Sequence, residues 1–290
     1  MKQIRGIITA MATPFDEAGA VDTDAARRLA AHLLEHGSHG LVIAGTTGEC
    51  PTLTDEEEIL LLRAVRAEVG DDVLLVCGTG TNDTRHSREL TKMAAEAGAD
   101  ASLVVAPYYN KPNRAGLRAH FEAVAEAVPE LPLIMYNIPA RVVINMPPDL
   151  LAELAAVDNI VAVKQANDDE LAPIDGLQVL AGNDNTLLRV LQFRGSGGIT
   201  VASHLVGDRM RAMWDAAENG ELDRLPEIDA ELTPVYEALS VTTNPIPLKA
   251  ALELTGLASG RMRLPLAPVS AEQRATIKAA LEGIGLAVAR

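Results

Sequence analysis

Residues Ile160-Val161-Ala162-Val163-Lys164 run wholly apolar into one ammonium, just ahead of a polar break at residues 165–169. A run that short between polar flanks reads as a strand buried on both faces, the kind found in parallel sheets. Lysine is costly in such a place unless it is paired or gives up its proton. Desolvation lowers a lysine pKa from roughly 10.4 toward neutrality, and the neutral amine is the species that attacks a carbonyl to form a Schiff base. The plainer reading is a strand-end lysine whose stem covers apolar surface while its charge stays wet. The rest of the chain weighs against that second reading.

Outward from this run the same short apolar segment recurs, at residues 6–10, 40–44, 73–77, 102–106, 133–136, 160–164, 178–181 and 197–201. Between these runs, residues 24–35, 55–69, 84–97, 115–127, 147–156 and 186–193 carry helical periodicity. That alternation implies parallel strands joined by crossover helices. Thr54 stands where a helix cap belongs, ahead of Asp55, Glu56 and Glu57, and Pro147 and Pro148 suit a first helical turn. Eight such units close into a (β/α)₈ barrel, although an open doubly wound sheet has the same local pattern. No Gly-x-Gly-x-x-Gly turn follows the first strand, which disfavours a dinucleotide-binding sheet. The link at 165–177, with Pro173 and Gly176, is too short for a full helix.

Beyond about Asp208 the alternation stops, and residues 209–219, 221–239, 247–254 and 270–287 read as consecutive helices. The expected organisation is a barrel over residues 1–222 and a C-terminal helical region over 223–290 packed on it, with no low-complexity linker between.

The 290 residues suffice for one large domain, and with 48% apolar but only 3% aromatic residues the core must be aliphatic. Forty acids against 25 bases give a formal charge of −15, which argues against a nucleic-acid partner held through phosphates. Cys50 and Cys77 are too few for a disulfide framework or a zinc site and are expected to be reduced. The six histidines read as scattered, so neither metal nor other cofactor is expected. Residues 1–9 lack signal-peptide architecture, and no apolar run approaches the ~20 residues of a membrane span, so a cytoplasmic protein is expected.

In such a barrel, functional groups gather at the carboxyl ends of the strands. Strand two runs into Gly45-Thr46-Thr47-Gly48-Glu49, a tight turn whose hydroxyls and amides can hold a carboxylate, or an ordinary solvated glycine turn. Strand four runs into Pro107-Tyr108-Tyr109-Asn110-Lys111-Pro112, which sets two of the four tyrosines side by side, for chemistry or for an interface. Strand five ends at Tyr136, followed by Asn137-Ile138-Pro139-Ala140-Arg141. Adjacent strands lie about 4.8 Å apart, so Tyr136 and Lys164 can share a pocket. A phenol there can relay protons and an arginine can clamp a carboxylate. Strand seven runs into Gly182-Asn183-Asp184 and strand eight is Gly197-Gly198-Ile199-Thr200; Asp184 suits a cap of the next helix as well as it suits chemistry, and is left out of the catalytic set.

Taken in order, Gly45 to Glu49, Tyr108 to Pro112, Tyr136-Asn137-Ile138-Pro139, the Lys164 strand, Gly198-Ile199 and Asn244-Pro245-Ile246-Pro247-Leu248-Lys249 are together highly specific for one family. The chain resembles the dihydrodipicolinate synthase and N-acetylneuraminate lyase family over essentially its whole length. The resemblance implies a (β/α)₈ barrel with a C-terminal helical region, assembled as a homotetramer of two tight dimers. It implies that Lys164 condenses with pyruvate and that Tyr136, Thr46 and Tyr109 relay protons, Tyr109 from a neighbouring subunit. Thr47 would hold the pyruvate carboxylate, and the backbone around Gly182 and Ile199 would line the same pocket. Arg141 matches the synthase branch, where this arginine binds the carboxylate of L-aspartate 4-semialdehyde. The implied reaction is condensation to 4-hydroxy-tetrahydrodipicolinate, in lysine and diaminopimelate synthesis. Two alternatives remain: a pyruvate-dependent aldolase or lyase of a sugar acid, and a non-catalytic paralogue that binds a keto acid.

The chain departs from the family pattern in places. Val142 and Val143 follow the arginine where threonine and glycine are usual, Gln165 replaces an acid, and the segment after it is short. Where lysine-sensitive members place histidines and a glutamate around the effector, this chain has Asp55, Glu58 and His86, with Asn82 and Tyr108 retained. Weak or absent sensitivity to lysine is the expectation.

Overall fold

Each apolar run forms a strand, and the strands hydrogen-bond in sequence order into a closed parallel barrel. The computed structural model describes residues 2–288. The strands are β1 (Gly6–Ala10), β2 (Gly40–Ile43), β3 (Leu74–Gly78), β4 (Ala101–Val105), β5 (Leu133–Asn137), β6 (Ile160–Gln165), β7 (Gln178–Ala181) and β8 (Gly197–Thr200). Closure is made by β1 against β8, with Ile7 opposite Gly198 and Thr9 opposite Thr200. The barrel is therefore present, and the open doubly wound sheet is excluded.

Helices α1 (Thr23–Glu35), α2 (Asp55–Val69), α3 (Thr84–Glu96) and α4 (Arg114–Ala127) follow the first four strands. Thr54 does cap α2: its hydroxyl accepts from Glu57 N while the Glu57 carboxylate accepts from Thr54 N, the reciprocal arrangement that satisfies two free amides. After β5 come a single turn that sequence periodicity is too short to reveal, α5 (Pro139–Val142), and then α6 (Pro148–Leu154). Between β6 and β7 only a 3₁₀ turn forms, at Asp168–Glu170, as the short link requires. Helix α7 (Leu187–Gln192) precedes β8.

Helix α8 (Ser203–Glu218) begins earlier than the sequence predicts, because its first turns are kinked. Val206 leaves helical geometry (φ −129°, ψ 30°), and at Gly207 a side chain would stand 2.1 Å from the His36 carbonyl. A glycine required by close packing thus broke the periodicity. Beyond it, α9 (Leu225–Ala238), α10 (Ile246–Thr255) and α11 (Ala271–Gly283) pack together and against the barrel, with α9 touching α8 and α7. Their apolar faces, including Leu225, Leu232, Leu248, Leu252 and Ile277, are fully buried and belong to the same aliphatic core as the barrel's helices. Among the described residues no helix is long and apolar enough to cross a membrane.

Candidate active site

Lys164 is the last residue but one of β6 and stands directly opposite Tyr136 of β5 in the strand register. The pairing turns both side chains into the barrel mouth, with the Lys164 ammonium nitrogen 4.4 Å from the centroid of the Tyr136 ring. Lys164 is only 5% exposed, so the wet, snorkelling alternative fails. Burial lowers its pKa to about 8, with the Asp184 carboxylate pulling upward and the Arg141 guanidinium downward. Burial pushes the Tyr136 phenol up to about 12, partly countered by Arg141 and by the Thr46 hydroxyl. Two titratable groups, both shifted by burial, are thereby set side by side.

The cavity around them measures about 590 Å³ and is lined by Thr46, Thr47, Tyr136, Arg141, Lys164 and Gly182 among others. The turn after β2 delivers Thr46 and Thr47, and α5 delivers Arg141. At Gly182 a side chain would meet the Gln165 carbonyl and Ala166 at 2.7 Å, so only glycine lets the end of β7 lie this close beside Lys164. Ile199 is buried in β8 and its side chain does not line the cavity. Tyr109 is also absent from the lining: it is 88% exposed, on a left-handed backbone (φ 71°) at the tip of the β4 loop. The chain therefore assembles Lys164, Tyr136, Thr46, Thr47, Arg141 and Gly182, and leaves Tyr109 pointing away from its own site.

Asp184 is a cap, but of a different helix than the one following it. Its two oxygens accept from Val201 N and Ala202 N at 2.8 and 3.0 Å, closing the entrance to α8. Gln165, in place of an acid, is fully buried and accepts from the Asn137 side chain (3.0 Å) and Asn167 N (3.0 Å). It joins a polar cluster behind the strand pair that runs through Asn145 to the Glu170 carboxylate.

Asn244 was not among the candidate site residues. Its side-chain amide donates to Thr47 Oγ1 at 3.0 Å, and its carbonyl accepts from Arg141 Nη2 at 2.8 Å. It lies far along the chain from both partners and on no strand end, so only its place in a recognisable motif marks it. A buried ion pair, Glu49 with Lys249, anchors the same turn. Lys249 also donates to the carbonyls of Thr13 (2.8 Å) and Arg261 (2.6 Å), and Glu49 accepts from Arg263 N (3.0 Å).

A second cavity of about 400 Å³ adjoins the first and is lined by Asp55, Glu58, Asn82, His86 and Tyr108. Burial, with the charge of Asp55 adding to it, pushes the Glu58 carboxyl up to about 9. Asp55 is engaged by His86 Nε2 at 2.9 Å.

The histidines are less scattered than they read. His32 on α1 and His36 at its C-cap stand four apart with ring centroids 4.3 Å apart, a His-x-x-x-His spacing. Among the described residues, however, no group of three or more His, Cys, Asp or Glu is arranged to hold a metal ion.

A sequence model described as the dihydrodipicolinate synthetase family matches residues 3–284. The chain belongs to this family. It is 47% identical over 287 residues to the 4-hydroxy-tetrahydrodipicolinate synthase of Synechococcus elongatus, spanning 97% of this chain and 96% of the relative. Among solved structures it is 39% identical to the dihydrodipicolinate synthase of Cyanidioschyzon merolae with lysine bound, at a TM-score of 0.92 over 97% of this chain and 98% of that one. It is 34% identical to the Acinetobacter baumannii dihydrodipicolinate synthase complexed with pyruvate, at a TM-score of 0.94 over 98% and 100% of the two chains.

The neutral amine is the attacking form, so the rate of imine formation is expected to rise through pH 8 and level off above it. Initial rates of covalent trapping with a small 2-oxo acid, from about pH 6 to about pH 10, check this. A flat profile counts against a desolvated amine.

Proposed function

We propose that this chain condenses pyruvate with L-aspartate 4-semialdehyde to give 4-hydroxy-tetrahydrodipicolinate, and that Lys164 carries the reaction. The observation behind it is a buried amine, its pKa lowered to about 8, paired across two strands with a phenol. The neutral amine adds to C2 of pyruvate and water leaves, forming an iminium. That cation takes up the electron pair when a C3 proton departs, a task a bare ketone does badly. The resulting enamine carbon attacks the aldehyde, and the amino group of the semialdehyde then displaces Lys164 as the ring closes.

Tyr136 and Thr46 move the protons, with Tyr109 of a second copy completing the relay. Its exposure, and its absence from the cavity of its own chain, support a homodimer in which each loop enters the other site. Two such dimers would make the tetramer. Thr47, with the backbone at Gly182 and Ile199, holds the pyruvate carboxylate, and Arg141 holds that of the semialdehyde. Asn244, bonded to both Thr47 and Arg141, keeps the two carboxylate sites in register. The cytoplasm is the proposed compartment.

A coupled assay with pyruvate tests this against a panel of aldehydes and sugar acids. Turnover is expected with aspartate semialdehyde and not with 2-keto-3-deoxy sugar acids or N-acetylneuraminate; the reverse result assigns a sugar-acid aldolase. A keto-acid-binding paralogue would gain no covalent mass on borohydride reduction with pyruvate. In the same assay, sub-millimolar lysine is expected to leave the rate nearly unchanged. With Glu58 protonated near neutrality and Asp55 engaged by His86, the second cavity offers an ammonium no free carboxylate. A steep loss of activity would refute that expectation.

A further inference from the structure

Three polar atoms of residues lining the Lys164 cavity are buried without a protein partner: Tyr236 Oη, Asp229 Oδ1 and Asn244 Oδ1. Buried polar atoms are nearly always paired, so three on one cavity call for a common cause. All three come from the C-terminal region, Asp229 and Tyr236 from α9 and Asn244 from the turn ahead of α10, and none from the barrel. Asp229 and Tyr236 lie seven residues apart on α9, which places them on one helix face, and Thr233 and Glu237 of the same helix also line the cavity. Tyr236 is only 6% exposed, and its phenol is pushed up by burial and by the carboxylates of Asp184 and Asp229. The Asp184 oxygens are already taken by backbone amides, which leaves Asp229 as the available acceptor.

The cavity is thus polarised. Lys164 and Arg141 bring positive charge from the barrel, while α9 brings acceptors and negative charge. Pyruvate has nothing to offer the α9 wall, because it carries no donor group. A zwitterionic second substrate does: its carboxylate suits Arg141, and an ammonium presents three N–H donors and no acceptor.

We propose that Asp229 and Tyr236, with Asn244 Oδ1, form the subsite for the amino group of an α-amino aldehyde. This rests on the reading of the reaction given above and names what selects the second substrate. The helical region contributes this selection, and the barrel contributes the amine.

The test uses Asp229→Asn and Tyr236→Phe in the full-length protein, with circular dichroism and thermal melting to establish that both fold. L-Aspartate 4-semialdehyde is varied at saturating pyruvate, and inhibition by succinic semialdehyde, which has the same aldehyde and carboxylate but no amino group, is measured alongside. In Asp229→Asn the KM for aspartate semialdehyde is expected to rise about tenfold or more, the loss typical of a charge-assisted hydrogen bond. Tyr236→Phe should raise it by a smaller factor. The KM for pyruvate, borohydride trapping with pyruvate and the inhibition constant of succinic semialdehyde should stay within about twofold. An unchanged KM for aspartate semialdehyde overturns the subsite, and so does an equal loss for both aldehydes, which would mean a structural role. If the wild type does not turn over aspartate semialdehyde at all, the parent reading falls and the subsite with it; wild-type turnover with unaffected variants sinks the subsite alone.

Discussion

Lys164→Ala is expected to gain no mass from pyruvate and borohydride and to lose roughly 10⁴-fold or more in turnover. Among the described residues no other amine lines the cavity that could take over the attack, and the β6 register fixes where this one sits. Lys164→Arg should be nearly as inactive, because a guanidinium keeps its proton throughout the working pH range and forms no imine. Mass spectrometry of the reduced adduct reads the covalent step, and the coupled assay reads turnover. Substantial activity in the alanine variant would overturn the covalent mechanism.

Lys249→Met is expected to destabilise the fold by about 3–5 kcal/mol, because it leaves the Glu49 carboxylate buried with the Arg263 amide as donor but without its counter-ion. Both members of the pair are 1% exposed, so water cannot take the place of the ammonium. The double change Glu49→Gln with Lys249→Met should recover most of the loss, since a neutral amide can still accept from Arg263 N. Denaturant unfolding of the wild type and both variants measures this; equal destabilisation of the single and the double variant would show that the lysine contributes through packing and its bonds to the Thr13 and Arg261 carbonyls, not through the ion pair. Catalysis should also suffer in the single variant. Glu49 sits in a left-handed conformation (φ 61°) at the end of the turn carrying Thr46 and Thr47, and the Thr13 hydroxyl binds the Gly48 carbonyl beside it at 2.7 Å.

Much of this was readable in the chain because strands buried on both faces have no choice but to be continuous apolar runs. The segment ending at Lys164 and the one ending at Tyr136 could be placed almost to the residue, and once both lay in a barrel their common position at its mouth followed. Elements shorter than one helical period could not be read: α5, which delivers Arg141, is a single turn. Helix α8 was recognised only in part, since Gly207 answers to a neighbouring carbonyl and not to helix propensity. Residues whose role comes from distant contacts were the hardest. Asn244, Asp229 and Tyr236 belong to a region whose sequence indicates only helices, and nothing local states that it leans over the barrel mouth. His32 and His36 teach the reverse lesson, since a spacing associated with metal sites stands there without a third ligand among the described residues.

The bridge from Asn244 to Thr47 and Arg141 has an evolutionary corollary. If the barrel supplies the reactive nitrogen while the tail tunes what approaches it, a lineage can change its partner aldehyde by altering the last quarter of its gene and leave the reaction chemistry untouched. Chimaeras that exchange this tail between relatives, joined ahead of α9, would then inherit their substrate preference from the tail donor.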